Sequence, residues 1–377
     1  MSKFVCTALA LIGAGAAAQA DPESGAWLGL DQEISNLTSS LSAQGGGVDV
    51  GALIRSSYLY AEDTLGLTSP EDTGGFIFQD VDIWLEGEVG DYEWRINMDL
   101  DGASGFSGGP PGSASATTPA WEAGTGGSAV LEDAYATWNA SDNFGITWGQ
   151  FKAPVTMSTS IDPERMAFVD RTAIGQVFDG WQLGAMIHGE QEGFGWFVAI
   201  QNGADGINDE YRISGRAEFT IGDHESGVTR NGGAVAGGSD ELAGTAGVFF
   251  VQDDGLGDAV PDNTIIGLDA AGTMGPFSIH AEVADFDTDI GDNTPFSFAF
   301  GYLFSDQWHG AVRFQDLDDA GSDASIFSIA ATWLQGNSGS NGTDAAWTFE
   351  IGSVDAEDGF ADGTYAQVNL SVGSTRN

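Results

Sequence analysis

Basic residues are the scarce chemistry of this chain. The sequence of 377 residues holds 11 Lys+Arg against 56 Asp+Glu, a formal net charge of −45. Three of those bases, Lys152, Arg165 and Arg171, fall close together. Cations set opposite a carboxylate-rich surface make a transverse field, which orients polar solutes and sets ion preference. The plainer role is to pair with Asp162, Glu164 and Asp170 and hold their own segment in place. Arg171 fits that plainer role, while Lys152 and Arg165 fit the field. Arg212 and Arg216 share the polar side of one alternating stretch with Glu218, and Arg95 shares another with Glu93 and Asp99. Arg55 and Arg313 are further candidates of the same kind. Lys152, Arg165, Arg171, Arg212, Arg216 and Arg95 are therefore the expected solute-contacting residues.

Other chemistries have weaker motifs. Asp285, Asp287, Asp289 and Asp292 alternate with other residues as carboxylates do in calcium loops. The EF-hand pattern needs its glycine one place before Gly291 and a glutamate six residues after that glycine, and neither is present. These four aspartates stand as a candidate calcium loop, and no other cofactor is indicated. Asp316, Asp318, Asp319 and Asp323 form a similar acidic stretch, read as solvated. His188, His224, His280 and His309 show no metal spacing, and His280-Ala-Glu282 lacks the downstream cysteines of a zinc deaminase. There is no Gly-x-Ser-x-Gly elbow, no phosphate-binding Gly-Lys loop and no His-Glu-x-x-His motif. The chain is expected not to be an enzyme.

Composition narrows the class. A nucleic-acid binder needs a basic stripe, which this charge excludes, and docking on anionic headgroups is disfavoured for the same reason. Hydrophobic residues make up 42% and aromatics 11%, enough apolar surface to exclude simple disorder. No internal run reaches the ~18 apolar residues of a spanning helix. Lys3, the small and apolar run Phe4 to Ala18, and Ala18-Gln19-Ala20 together read as a secretory signal peptide over 1–20. Cys6, the only cysteine, would leave with it, so the mature chain would have no disulfide. Lys3 would leave too, making the imbalance greater.

The elements that must position the bases come next. Trp27, Leu30, Ile34, Leu37 and Leu41 form a short heptad seam, so 21–46 reads as a short helical or coiled-coil segment. From 47 onward the period changes to two. Tyr92, Trp94, Ile96 and Met98 alternate with Glu93, Arg95, Asn97 and Asp99. Ala366, Val368, Leu370 and Val372 alternate with Gln367, Asn369 and Ser371. About sixteen such stretches are separated by Gly, Asp, Asn, Ser and Pro, with no helical pattern between them. Two architectures fit. In a β-sandwich the apolar side points to a core; in an outer-membrane barrel it points to lipid and the polar side lines a lumen. Three features favour the barrel. Many stretches approach the 9–11 residues that cross a bilayer at a tilt. Trp148, Trp181, Trp308 and Trp333 sit where an interfacial girdle would place them. Tight links (88–92, 189–194 and 304–308) alternate with long ones (102–129, 152–180, 223–241 and 317–324). The second architecture would make the chain a secreted or surface carbohydrate-binding sandwich or adhesin.

One region carries a family likeness. Gly149-Gln150-Phe151-Lys152-Ala153-Pro154 is followed by Met166-Ala167-Phe168-Val169-Asp170-Arg171 and then by Gly184, His188 and Gly189. This resembles the phosphate-selective porin O and P family, where a strand ending in Gly-x-Phe-Lys-x-Pro runs into a long loop with a Phe-x-x-Arg element. Trp196-Phe197-Val198-Ala199-Ile200-Gln201-Asn202-Gly203 is similar to that family's strand closing in Asn-Gly. Trp333-Leu334-Gln335-Gly336-Asn337 with Trp347-Thr348-Phe349-Glu350 is similar to its penultimate hairpin. The resemblance implies a sixteen-stranded homotrimeric barrel over 47–377 in the outer membrane of a Gram-negative bacterium, with 152–180 folded into the lumen as a constriction. It implies outer-membrane lipid, small hydrophilic solutes and ions as partners, with anions such as phosphate among the solutes. The residues agree on the fold, because 152–180 is too apolar for a solvated loop. They pull the other way on phosphate. Lys152 is the only lysine after residue 20, where the family's phosphate-selective members use many bases, and the charge predicts a mild cation preference.

Overall fold

The computed structural model describes residues 47–61, 73–100, 130–203, 211–222, 240–253, 263–288, 291–318, 324–335, 345–356 and 362–373. Nearly all belong to one compact unit, Asp49–Asn377. The expected signal peptide and the heptad seam lie outside the described residues.

The first strands are β1 (Val48–Ala61), β2 (Thr73–Val89), β3 (Tyr92–Asp99), β4 (Val130–Ser141) and β5 (Phe144–Lys152). Then come β6 (Trp181–Gln191), β7 (Phe194–Asn202), β8 (Tyr211–Ile221), β9 (Ala243–Asp253), β10 (Asn263–Met274) and β11 (Phe277–Thr288). The last are β12 (Gly291–Asn293), β13 (Phe296–Ser305), β14 (Trp308–Asp316), β15 (Ala324–Gln335), β16 (Ala345–Ala356) and β17 (Gly363–Gly373). Long strands pair antiparallel with their neighbours in sequence, and β1 pairs with β17 from Leu53 opposite Gly373 to Ala61 opposite Tyr365. That last pairing closes the sheet. The result is a sixteen-stranded barrel, with three-residue β12 adding only a short flap on β11. Closure leaves no open edge, which is what a sheet surrounded by lipid requires. It also overturns the sandwich, and with it the adhesin alternative, since a sandwich has two facing sheets and no such closure.

Which way each side chain points decides the barrel's class. Ile54, Tyr58, Ile96, Ile187, Val198, Ile213, Leu268, Phe298 and Ile351 are all exposed on the outer wall. Between them, Arg55, Ser57, Asn97, Ser214, Arg216, Glu282, Ser328 and Asn369 are buried on the lumen side. A soluble protein has the reverse. Apolar-out, polar-in is stable only where hydrocarbon replaces water outside.

Two tryptophans fit an interfacial girdle. Trp308 and Trp333 face outward near the ends of their strands and stack with centroids 6.1 Å apart. Trp148 departs from that pattern: it is 71% exposed in the middle of β5, opposite Ala136 and Ala185 on the neighbouring strands. Trp181 instead stands beside Lys152.

The tight links share one end. Between β6 and β7, Glu192 and Gly193 both have positive φ (51° and 80°), which joins antiparallel strands in a two-residue turn matching their twist. The β8–β9 link is long yet lies at this end, so the strict alternation of short and long links breaks there. Gly149 shows why β5 needs glycine: its φ is +133°, and a Cβ would sit 2.3 Å from the Ala134 carbonyl oxygen.

Candidate functional site

The link between β5 and β6 folds inward. It holds α1 (Met157–Ser160), a 3₁₀ turn (Pro163–Arg165) and α2 (Ala173–Val177). Its short helices are capped locally. The Thr156 hydroxyl accepts from the Thr159 N–H at 3.1 Å, and the Thr172 hydroxyl accepts from the Gly175 N–H at 3.0 Å. Gly175 has no side chain because α1 comes too close: a Cβ there would lie 2.3 Å from the Ser158 Oγ.

The loop docks by apolar contacts on two sides. Val155, Ile174 and Phe178 pack in one buried cluster with Phe197, Phe249 and Phe286 of β7, β9 and β11. The Phe178 ring is 5.8 Å from Phe249 and 6.3 Å from Phe286. On the other side Ala167 and Phe168 pack on Ala311 and Ala330 of β14 and β15. The lumen is therefore crossed, not merely lined.

Wall side chains satisfy the loop's own backbone. The Met157 N–H donates to Asp269 at 2.9 Å, the Val169 N–H to Glu350 at 2.8 Å and the Ala173 N–H to Gln315 at 2.8 Å. In the opposite sense Arg216 donates to the Val155 carbonyl at 3.1 Å and Arg313 to the Asp170 carbonyl at 2.7 Å. Arg55 donates to the Val169 carbonyl. A loop inside a barrel can bury its peptide groups only with such partners.

The lumen bases are held by acids. Arg216 makes a two-pronged pair with Asp269, both contacts at 2.6 Å, and a third contact to Glu218 at 2.6 Å; all three side chains are wholly buried. Arg55 pairs with Asp80 at 2.6 Å, and Arg313 with Glu350 at 3.6 Å. Arg95 pairs across strands with Glu86 and Asp133, both at 3.4 Å, rather than with its own strand's Glu93 or Asp99. Arg212 lies directly opposite Asp253, with its guanidinium 5.5 Å from the Phe178 ring centre.

Two of the loop bases depart from expectation. Lys152 does not face an open lumen. It occupies the last residue of β5, opposite Trp181, with its Nζ 2.5 Å from Asp179 and 4.7 Å from the Trp181 ring centre. Arg171 does form an ion pair, but with Asp179 at 2.8 Å rather than with Asp162, Glu164 or Asp170. Its guanidinium also donates to the Ser158 carbonyl at 2.6 Å. Asp179 thus ties both ends of the loop together. Burial alone would raise its carboxyl, but Arg171 and Lys152 outweigh burial and bring it down to about 2. Arg165 sits half-buried in the 3₁₀ turn.

A closed, apolar-out barrel with a loop docked across its lumen is a pore with a constriction, and known proteins agree. Residues 63–236 match the model of a family described as phosphate-selective porin O and P. The match covers 174 of the 377 residues. Among solved structures, the porin resembles the trimer form of OmpT from Vibrio cholerae (TM-score 0.56, 13% identity, 87% of this chain and 99% of that one). It also resembles an anion-selective porin from Comamonas acidovorans (TM-score 0.58, 11% identity, 87% and 100%). A third is the outer-membrane channel DcaP of Acinetobacter baumannii (TM-score 0.55, 10% identity, 88% and 98%). At such identities the likeness is one of fold. No curated protein matches the sequence. The porin is a barrel of the outer membrane, and its architecture is that of a channel.

The candidate calcium loop takes another form in the porin. Asp285 and Asp287 lie on the exposed side of β11, with Phe286 turned inward between them. Asp292 sits opposite Asp287 in β12, so the stretch is a strand pair rather than a chelating loop. Thr294 donates to Asp285 at 3.1 Å. Asp289 lies outside the described residues, and no three potential metal ligands gather among the described ones.

Sequence reasoning missed the wall groups that grip the loop: the carboxylates of Asp269 and Glu350 and the amide of Gln315. Nothing in a period of two separates these from other lumen positions. The docking wall did leave a trace. Trp196-Phe197-Val198-Ala199-Ile200 and Val248-Phe249-Phe250-Val251 are apolar on both faces, as a strand must be when lipid covers one side and the loop the other.

Proposed function

We propose that the porin is a homotrimer passing small hydrophilic solutes and ions by passive diffusion, with a mild preference for cations. The observation that carries the preference is the use made of the bases. Arg55, Arg95, Arg171, Arg216, Arg313 and Lys152 each stand within ion-pair distance of a carboxylate. Several also spend a donor on the loop backbone. Phosphate recognition calls for cations presented to the solute, and these are turned to the protein instead. The acids outnumber them and set the sign of the lumen field. The trimer rests on the family resemblance and on the trimer form of the similar OmpT.

A reversal potential across a planar bilayer under a KCl gradient tests the preference. The expected sign is that of K⁺ passing more readily than Cl⁻. Strong anion selectivity that Lys152→Ala abolishes would restore the phosphate-type reading. Unboiled protein in detergent should migrate as a heat-modifiable oligomer; migration as a monomer would remove the trimer.

A further inference from the structure

The outer wall is not uniform. On β13 to β16 it is aromatic. Phe298, Phe314, Phe327 and Phe349 are exposed there, and rings of neighbouring strands lie close, Phe296 to Phe314 at 5.7 Å. Rings packed side by side make a continuous apolar surface for acyl chains.

The wall from β3 to β6 is built otherwise. Trp148 projects from it, largely exposed, and touches no other ring among the described residues. Its neighbours across, Ala136 and Ala185, are small, so the indole stands clear on both sides. Gln150 lies on the same side of β5, half-buried, opposite Ala134 and Leu183. Its amide nitrogen donates to the Leu131 carbonyl, and its amide oxygen receives no donor among the described residues. Ile146, opposite Trp138, and Lys152, opposite Trp181, mark the two ends of this face, and Trp148 and Gln150 fall between them. That is hydrocarbon depth. An indole N–H belongs at the headgroup level instead, and an amide oxygen without a donor is costly in hydrocarbon.

We infer that the outer face of β3 to β6 is the contact surface for a second copy of this chain, with Trp148 as its anchor and Gln150 as its polar tie. Only lipid or another membrane-spanning wall reaches this depth, and acyl chains offer no donor to Gln150 and no acceptor to the indole. Small residues beside the anchor let the neighbouring wall come close, and Trp is a favoured anchor at protein interfaces. Four strands about 4.8 Å apart over a band about 25 Å tall offer roughly 480 Å² on each copy, or about 1,000 Å² for the pair, where specific interfaces begin. The inference rests on the trimer reading above.

Electrophoresis of unboiled protein in detergent, over a series of temperatures, tests it. A folded barrel, an unfolded chain and an oligomer run as separate bands, and KCl conductance reports the barrel itself. Ala185→Trp adds an indole where the neighbouring wall must approach. It should give folded monomer at temperatures where the unaltered protein is all oligomer. Trp148→Ala should do the same by removing the anchor. Ala331→Trp, on the outer side of β15 between Ile329 and Trp333, should keep the oligomer, because lipid makes room for the ring. If Ala185→Trp gives no folded band, Ala136→Trp takes its place. An oligomer unchanged in both the added-indole variant and Trp148→Ala overturns the interface and leaves the trimer standing. Equal loss of oligomer in Ala331→Trp overturns it too. Unaltered protein that runs as a folded monomer overturns the trimer reading, and the interface falls with it.

Discussion

At the scale of single residues, Asp179 and Asp170 are the informative pair. Asp179 holds Lys152 and Arg171 at 2.5 and 2.8 Å, so its removal leaves two largely buried cations without their anion. Asp179→Asn should loosen the loop by about 3 kcal/mol, the low end for breaking a pair largely out of water. Larger open-channel current noise and new trypsin cleavage at Arg171 would be the readouts. A carboxyl held down to about 2 contributes stability above its ordinary 3.8 and loses it as the pH falls toward 2. The unaltered protein should therefore show the same added noise on acidification through that window. Asp170 behaves oppositely. Burial raises it first, Glu350 adds to that, and Arg55 and Arg313 offset only part, leaving it at about 7. It keeps its proton below neutrality and becomes an anion above it. Docking of the loop therefore weakens as the pH rises from the ordinary 3.8 through about 7, because the undocked carboxyl has already ionised. The K⁺/Cl⁻ permeability ratio should step upward between pH 6 and 8, and Asp170→Asn should remove the step. A flat ratio in the unaltered protein would remove Asp170 from the conduction path.

At the scale of elements, β8 and β10 anchor the loop through one buried triad, Arg216 with Glu218 and Asp269. Arg216→Met should leave two buried carboxylates uncompensated and release Val155, at a cost of roughly 3–5 kcal/mol. The expected result is a lower urea midpoint in detergent refolding, with partial recovery in Arg216→Met/Asp269→Leu. Strand positions were legible from sequence because a lipid-facing wall forces period two: the alternating stretch 92–99 coincides with β3, and 366–372 falls within β17. The inward fold of 152–180 was legible from its apolar content. Its contacts were not, since Asp179 reaches Lys152 and Arg171 only once α1 and α2 have turned the chain back on itself. Period two also says which side Arg95 faces but not which neighbour lies across, so its partners on β2 and β4 could not be named.

At the scale of the whole molecule, the net charge of −45 acts as a field. Screening length falls from about 10 Å at 0.1 M salt to about 3 Å at 1 M. Cation preference should thus be largest in dilute KCl and shrink toward the bulk mobility ratio in molar KCl. A preference independent of salt would point to a specific binding site instead of a diffuse field.

The Val169 peptide has a consequence for assembly. Its N–H is held by Glu350 from β16 and its carbonyl by Arg55 from β1, 181 and 114 residues away along the chain. Those two strands flank β17, and β1–β17 is the seam where the first and last strands meet. The loop can be gripped on both sides only after that seam has zipped. In an unfinished barrel the Val155 and Phe178 side of the loop would still find its partners on β7 to β11, while the Val169 peptide would lack both of its own.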